Sequence, residues 1–355
     1  MWESNVRRVT PYTPGEQPKT SNLIKLNTNE NPYPPAPGVL KALKDMDYTS
    51  FRKYPDPTCD LLVSAVSDTY GIAKDRIFTG VGSDDVLAMA FLTFFNGERE
   101  ILFPDVTYSF YDVWAELFRI PYRQVPLKED FSIDPEDYKV PNGGLVIANP
   151  NAPTGLKQPL SAIEDIVRAN PASVVIVDEA YVDFGAESAI PLIDKYENLL
   201  VVQTFSKSRS MAGMRVGLAF GQPKLIKYML DVKYSFNSYT MNMPALILGA
   251  EAVRDTQYFE ETVAKVVATR EWTKKELCKL GFEFADSSTN FIFAKHKTVE
   301  RDYIFSELRK RNILVRAFNA PRTKDWLRIS IGTDEEMRAV IAALEEIIKS
   351  ENNSV

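Results

Sequence analysis

The chain is poor in the residues that metal and thiol chemistry require. It holds one histidine, His296, and two cysteines, Cys59 and Cys278. One histidine rules out a histidine-rich metal centre and leaves a Ser-His-Asp triad without support, so no metal is expected. His296 follows Phe291-Ile292-Phe293-Ala294-Lys295 and reads as a residue at a strand end. The two cysteines have neither metal spacing nor a disulfide framework, which points to a reducing compartment and a cytoplasmic location. No apolar run is long enough to span a bilayer, and no basic–apolar leader stands at Met1, so no membrane is expected. The glycines never adopt the dinucleotide or Walker spacing, so NAD and ATP readings lose support. Positive charge is not in excess either. A formal net charge of −6 argues against a nucleic-acid partner. It leaves a small anionic substrate open, because that responds to the local field of a cleft.

What is present is an ordinary globular balance, 45% hydrophobic and 25% charged over 355 residues. That length allows one large domain and a smaller one. Three continuous apolar runs, 145–148, 174–177 and 199–202, read as buried strands of a parallel sheet. Each ends abruptly in polar residues, at the edge where open α/β sheets bind ligands. The third is followed by Thr204-Phe205-Ser206-Lys207-Ser208-Arg209-Ser210, then Ala212-Gly213-Met214-Arg215-Val216-Gly217. A desolvated lysine beside a second cation is the residue type that forms Schiff bases. Ser206 and Arg215 add anion contacts, and the small residues allow close backbone approach. Earlier, Gly80-Val81-Gly82-Ser83-Asp84-Asp85 lies between a short strand and a helical pattern through Leu87, Ala90, Phe91 and Phe94. Ser83 is a plausible N-cap there, and such a helix start binds anions. After the second run, Asp178-Glu179-Ala180-Tyr181 puts a carboxylate at a buried strand end, which is costly unless it is paired.

These segments together resemble the fold-type-I aminotransferases that use pyridoxal 5'-phosphate (PLP), and most closely the histidinol-phosphate aminotransferases. The resemblance covers nearly the whole chain, and the lysine segment is its most specific part. It implies that Lys207 carries PLP as a Schiff base and that Ser206 and Arg215 hold its phosphate, with Ser83 and Asp84 at the helix start completing the cradle. It implies Asp178 at the pyridine nitrogen, Tyr181 at the phenolic oxygen and Tyr108 stacked on the ring; Tyr108 also reads as a core tyrosine. The family shows Asn-Asn-Pro-Thr-Gly where this chain has Asn151-Ala152-Pro153-Thr154-Gly155, so Asn151 is the substitute for the asparagine that contacts the phenolic oxygen. Tyr54 matches a tyrosine that reaches the phosphate in the neighbouring subunit, which implies a homodimer with a shared site. A tyrosine in the Pro-rich turn is the alternative. Arg328 matches the carboxylate-binding arginine, for which a planar guanidinium is suited. Arg316 matches the phosphate end of the amino substrate, with Arg322 close enough to serve instead. Tyr12 and Asn29-Glu30-Asn31-Pro32 match segments at the site mouth.

The implied architecture is α/β: a large domain with a mostly parallel seven-stranded sheet between helices, and a smaller α+β domain. Residues 1–45, rich in proline, form an arm on the small domain and the site mouth; 46–245 form the large PLP-binding domain; 246–355 form the small one. One long helix is expected over Glu251 to Leu280, a closing helix from Asp334 to Lys349 behind a capping box, and a polar tail through Val355. The implied reaction is transamination of L-histidinol phosphate with 2-oxoglutarate, two small anionic substrates, in histidine biosynthesis. Aromatic aminotransferases and threonine-phosphate decarboxylases share these motifs and form the alternative. A PLP-binding regulator of DNA is disfavoured, because the arm is too short and too rich in proline for a helix-turn-helix.

Overall fold

A computed structural model of the chain describes residues 2–13, 15–18 and 22–352. Met1, Pro14, residues 19–21 and the last three residues of the polar tail lie outside the described residues. The first strand, β1 (Ile24–Lys25), is short and pairs in parallel with β11 (Ile313–Leu314). The large sheet is built from β2 (Ile77–Gly80), β3 (Ile101–Pro104), β4 (Tyr122–Val125), β5 (Gly144–Ala148), β6 (Val175–Asp178), β7 (Leu199–Thr204) and β8 (Gly217–Gly221). Its order is β2-β8-β7-β6-β5-β3-β4, and only β8 runs against its neighbours. The second sheet, β12 (Arg316–Ala317), β13 (Leu327–Ser330), β10 (Phe291–His296) and β9 (Phe282–Phe284), is antiparallel throughout.

The strands read as continuous apolar runs because helices cover both faces of the large sheet. Leu145, Ile147, Val175, Val177, Leu199 and Val201 enter one core, and Val146, Ile176, Leu200 and Val202 enter the other. That alternation is the period of two of a pleated strand. The helices are α1 (Pro37–Asp45), α2 (Asp60–Tyr70), α3 (Gly82–Phe94), α4 (Tyr111–Phe118), α5 (Leu160–Ala169), α6 (Pro223–Phe236), α7 (Met243–Arg254), α8 (Thr256–Lys279), α9 (Arg301–Lys310) and α10 (Asp334–Asn352).

Three local expectations need correction or refinement. The long helix is two helices, α7 and α8, broken at Asp255, whose carboxylate accepts from the Tyr258 N–H and caps the second. Ser83 is not an N-cap. It lies inside the first turn of α3, and the Val81 N–H is taken by the Asp85 carboxylate instead. The run 313–316 is shared between two sheets, β11 and β12. The capping box is present: the Thr333 N–H donates to Glu336 Oε2 at 2.8 Å and the Glu336 N–H to Thr333 Oγ1 at 3.2 Å. His296 ends β10 and makes structural bonds, Nε2 to the Leu280 carbonyl and Nδ1 from the Val299 N–H. No helix among the described residues is long and apolar enough to cross a membrane.

Candidate active site

The carboxyl ends of the parallel strands β5, β6 and β7 open into one cavity. Ser83, Asp84, Tyr108, Asp178, Tyr181, Ser206, Lys207 and Arg215 all line it, together with Ala152 and Ala212. Segments widely spaced in the chain meet here because each polar residue lies at, or within four residues of, the end of a buried strand.

The anion-binding end is made by close backbone approach. Gly217, at the start of β8, lies so near the start of α3 that a Cβ there would stand 2.3 Å from the Gly82 carbonyl carbon and 2.5 Å from the Ser83 nitrogen. Gly82 has φ +82, and a Cβ on it would meet Arg215 Nη2 at 2.4 Å. The bare glycines therefore let Arg215 and the free N–H groups of the helix start converge on one volume. Arg215 Nη1 also reaches Ser206 Oγ at 3.5 Å. Asp84 contributes differently from Ser83. Its carboxylate accepts from Arg215 Nη2 at 3.0 Å and from the Tyr108 hydroxyl at 2.7 Å. A carboxylate repels an anion, so the Asp84 side chain orients these two groups, and only its backbone N–H, in the first turn of α3, is left as a donor to the cradle.

Asp178 is 4% exposed at the end of β6. The Tyr111 hydroxyl donates to it at 2.7 Å and the Ala180 N–H at 3.1 Å. No cation is paired with it among the described residues. Burial pushes its carboxyl up to about 6, against the lowering effect of those two donors. Burial likewise raises the Tyr108 and Tyr111 hydroxyls well above the usual range, reinforced by Asp84 and Asp178 respectively. Lys207 Nζ donates to the Thr28 carbonyl at 3.2 Å and lies 5.8 Å from the centre of the Tyr181 ring.

A second, larger cavity adjoins the first and is lined by Tyr12, Arg316 and Arg328, sharing Tyr108 and Ala152 with it. Arg328 is held between Phe291 and Phe318, 5.3 and 5.7 Å from their ring centres. Its Nη2 donates to the Asn27 carbonyl at 3.1 Å, while its Nε is buried without a partner among the described residues. Burial lowers its pKa. Among the described residues Arg316 donates only to the Thr13 carbonyl, at 3.3 Å. Arg322 is no substitute for it: its guanidinium is engaged by Asp105 Oδ2 at 2.8 Å and the Lys128 carbonyl at 2.7 Å.

Two expected residues stand apart from the cavity. Asn151 is buried behind it, and its amide is fully used, accepting from Thr107 Oγ1 and donating to the Val106 carbonyl and Thr154 Oγ1. Ala152, and not Asn151, is the residue of this loop that lines the cavity. Tyr54 is 80% exposed and stacks on Tyr239, outside its own chain's cavity. Sequence reasoning missed Tyr111, whose place three residues after Tyr108 on a helix start was the available signal. It placed Asn29 at the site mouth but missed Ser330, and only the fold brings the two together.

The residues present fit PLP. A glycine-built anion cradle, a cavity-lining amine and a buried carboxylate without a cation match its phosphate, its aldehyde and its ring nitrogen. The unpartnered Arg328 Nε fits an anionic substrate beside it.

The aminotransferase class I and II family model matches residues 21–344. A histidinol-phosphate aminotransferase of Lactococcus lactis subsp. cremoris is 49% identical over 353 residues, 99% of each chain. One from Clostridium botulinum is 51% identical over 347 residues, 98% of each chain. The crystal structure of histidinol-phosphate aminotransferase from Sinorhizobium meliloti in complex with pyridoxal-5'-phosphate shares the fold. It has a TM-score of 0.84 and 24% identity, over 92% of this chain and 91% of that one.

Proposed function

The chain belongs to the class I and II aminotransferases, and from that premise we propose that it transfers the amino group of L-histidinol phosphate to 2-oxoglutarate with PLP as cofactor. The observation that carries this is the convergence of Lys207, Asp178 and Arg215 on one cavity beside two arginines that face a second. The names of the relatives support the phosphate substrate and do not favour the aromatic or decarboxylase alternatives.

Bound PLP supplies an electron sink that lets a proton leave the amino-bearing carbon of the substrate. Ser83, Ser206 and Arg215 would hold its phosphate, and Asp178 its protonated ring nitrogen. Tyr108 covers the cavity with an aromatic face. Tyr181 offers a hydroxyl from the other side. Lys207 Nζ is the group that anchors the cofactor, and once released it accepts and returns a proton. Such positioned acid–base catalysis contributes roughly a hundred- to ten-thousand-fold. Arg328 binds the carboxylate of glutamate or 2-oxoglutarate through its free Nε edge, and Arg316 takes the phosphate of the other substrate. Tyr12, ring centre 4.3 Å from Phe110, closes the mouth. Burial strengthens the charge of Asp178, which is 4% exposed, most of all.

The shared homodimer site is part of the same reading. Leu40, Leu43, Tyr48, Phe51, Tyr54, Phe236 and Tyr239 are all exposed, on α1, on the segment after it and around the end of α6. Exposed apolar patches of this kind mark interfaces. A second copy is the occupant that would bring Tyr54 to a neighbouring cavity. The cytoplasmic location is proposed with it. The arm lies across both sheets' units, through Arg7 to the Leu117 carbonyl on one side and Glu16 to Arg309 on the other. We place the break between large and small domains at Asp255 and not at 245/246, because α7 packs on α1 and α2 while α8 packs on β9 and β10.

The deciding assay measures glutamate formation from 2-oxoglutarate with histidinol phosphate, phenylalanine and threonine phosphate as competing donors. Histidinol phosphate should give the highest kcat/KM. A higher value for phenylalanine, or carbon dioxide release from threonine phosphate, would replace the substrate assignment.

A further inference from the structure

Tyr181 is the one hydroxyl in the cavity whose bonding is controlled from the small sheet. We infer that Asn29 and Ser330 act as a relay that fixes the direction of the Tyr181 hydroxyl proton and keeps it available to the cavity; the inference rests on the reading of that cavity as a PLP site.

Three hydroxyl and amide groups share these protons. Ser330 Oγ accepts from the Asn29 N–H at 3.0 Å. Its single proton must therefore go elsewhere, and Asn29 Oδ1 takes it at 3.0 Å. That bond fixes the orientation of the Asn29 amide. Its Nδ2 then faces Tyr181 and donates to the hydroxyl oxygen at 2.8 Å. Tyr181 is the acceptor in this bond, so its own proton is left over. Among the described residues no acceptor takes that proton, and the side chain lines the cavity.

The same bonding disfavours the reverse orientation. A flipped amide would take the Tyr181 proton and strand the Ser330 proton, a buried donor without a partner. Ser330 and Asn29 are each 1% exposed, so water does not compete. The Asn290 side chain locks the segment by donating to the Asn29 carbonyl at 3.0 Å. Asn29 has φ +56, in the left-handed region that asparagine tolerates better than most residues. Ser330 belongs to β13, the strand that carries Arg328, two residues away. The relay thus ties the hydroxyl of one unit to the substrate-binding strand of the other.

Neither Asn29 nor Ser330 lines the cavity; both are positioning residues that act through Tyr181. A hydroxyl proton offered into the cavity favours the deprotonated form of whatever it meets, so it lowers the pH at which the bound cofactor titrates. The other ionisable groups facing that volume are Lys207, Asp178, Asp84, Arg215 and Tyr108, with Arg328 behind Tyr181. None of them is altered in the test.

The test is the pH midpoint of the visible PLP band of the holoenzyme, measured in a double-mutant cycle of Asn29→Asp and Tyr181→Phe. An aspartate accepts from both hydroxyls and pulls the Tyr181 proton away from the cavity. Asn29→Asp should raise the midpoint by roughly 0.5–1 pH unit, the equivalent of one net hydrogen bond. Tyr181→Phe should raise it similarly, and Asn29→Asp should add nothing on top of it. An equal rise from Asn29→Asp in both backgrounds would mean a charge acting through space and would overturn the relay. So would an unchanged midpoint in a folded, loaded variant. If Asn29→Asp does not load PLP, Ser330→Ala decides: it frees the amide to flip and should raise the midpoint in the same direction, and no rise overturns the proposal. A wild-type protein without a PLP band would remove the cofactor reading and the relay together. A normal wild-type band with no coupling removes the relay alone.

Discussion

The buried carboxylate at the end of β6 makes a prediction that needs no substrate. Asp178 has its pKa raised from the ordinary 3.8 to about 6, chiefly by burial. A carboxyl raised on folding binds its proton more tightly in the native state. Its contribution to stability is complete below about pH 4 and is lost as the pH climbs through about 6. That gap corresponds to roughly 3 kcal/mol at about 1.4 kcal/mol per pH unit. The cofactor-free protein should therefore carry an unfavourable charge at neutral pH that Asp178→Asn removes. The amide oxygen keeps an acceptor for only one of the two donors, the Tyr111 hydroxyl on Oδ2 or the Ala180 N–H on Oδ1, and loss of the other bond offsets about 1 kcal/mol of this gain. Urea melts of cofactor-free wild type and Asp178→Asn from pH 4 to 8 test this. The two should lie within about 1 kcal/mol of each other at pH 4, and the variant should lead by up to about 2 kcal/mol at pH 8. Glu179, raised to about 7 by burial, shifts both proteins alike. Adding PLP should reverse the order, because the ring nitrogen loses its counterion, and PLP affinity of the variant should fall at least about tenfold. Wild type equal to or more stable than the variant at pH 8 without cofactor would refute the reasoning.

Lys207→Ala should abolish both the covalent PLP band and turnover; a variant that keeps near-full transamination would end the assignment of Lys207. Gly217→Ala should lower stability by more than about 2 kcal/mol and release PLP, because its Cβ would meet the backbone of Gly82 and Ser83, which cannot retreat; wild-type melting and cofactor retention would contradict the cradle. Arg316→Ala should raise the KM for histidinol phosphate about 10- to 100-fold, the worth of a charged hydrogen bond, with a much smaller change for glutamate. Arg322→Ala should leave that KM in place and lower stability, since its partners are Asp105 and Lys128; the opposite pattern would exchange their roles. Tyr54→Phe should weaken PLP retention in the dimer, and analytical ultracentrifugation should show two copies per particle. A monomer at micromolar concentration with full activity would dismiss the shared site.

The large sheet was legible because its strands are buried on both faces and therefore appear as unbroken apolar runs. Lys207 and Asp178 were legible for the same reason: a charge directly after such a run marks the sheet edge. The glycines at 82 and 217 were visible, but the close packing that leaves no room for a Cβ at either, against Arg215 at 82 and against the start of α3 at 217, was not. The break at Asp255 was hidden because the residues on either side continue a helical pattern. A cap is a matter of one side chain turning back on the backbone. The inward turn of Asn151 could not be read by counting positions in a loop, because which neighbour faces the cavity depends on where the Thr107 and Thr154 hydroxyls lie.

Local order along the chain settled which chemical groups stand at the ends of the strands, because a buried strand admits polar side chains only where it stops. The fold settled which of those groups are free to act. Arg322 is bound by Asp105, from 217 positions earlier in the chain, and Arg316 is not. Tyr181 keeps its proton because Ser330 and Asn29, 301 positions apart, face each other. Hydrogen-bond capacity is consumed by whatever lies nearby in space, and chain distance carries no record of that.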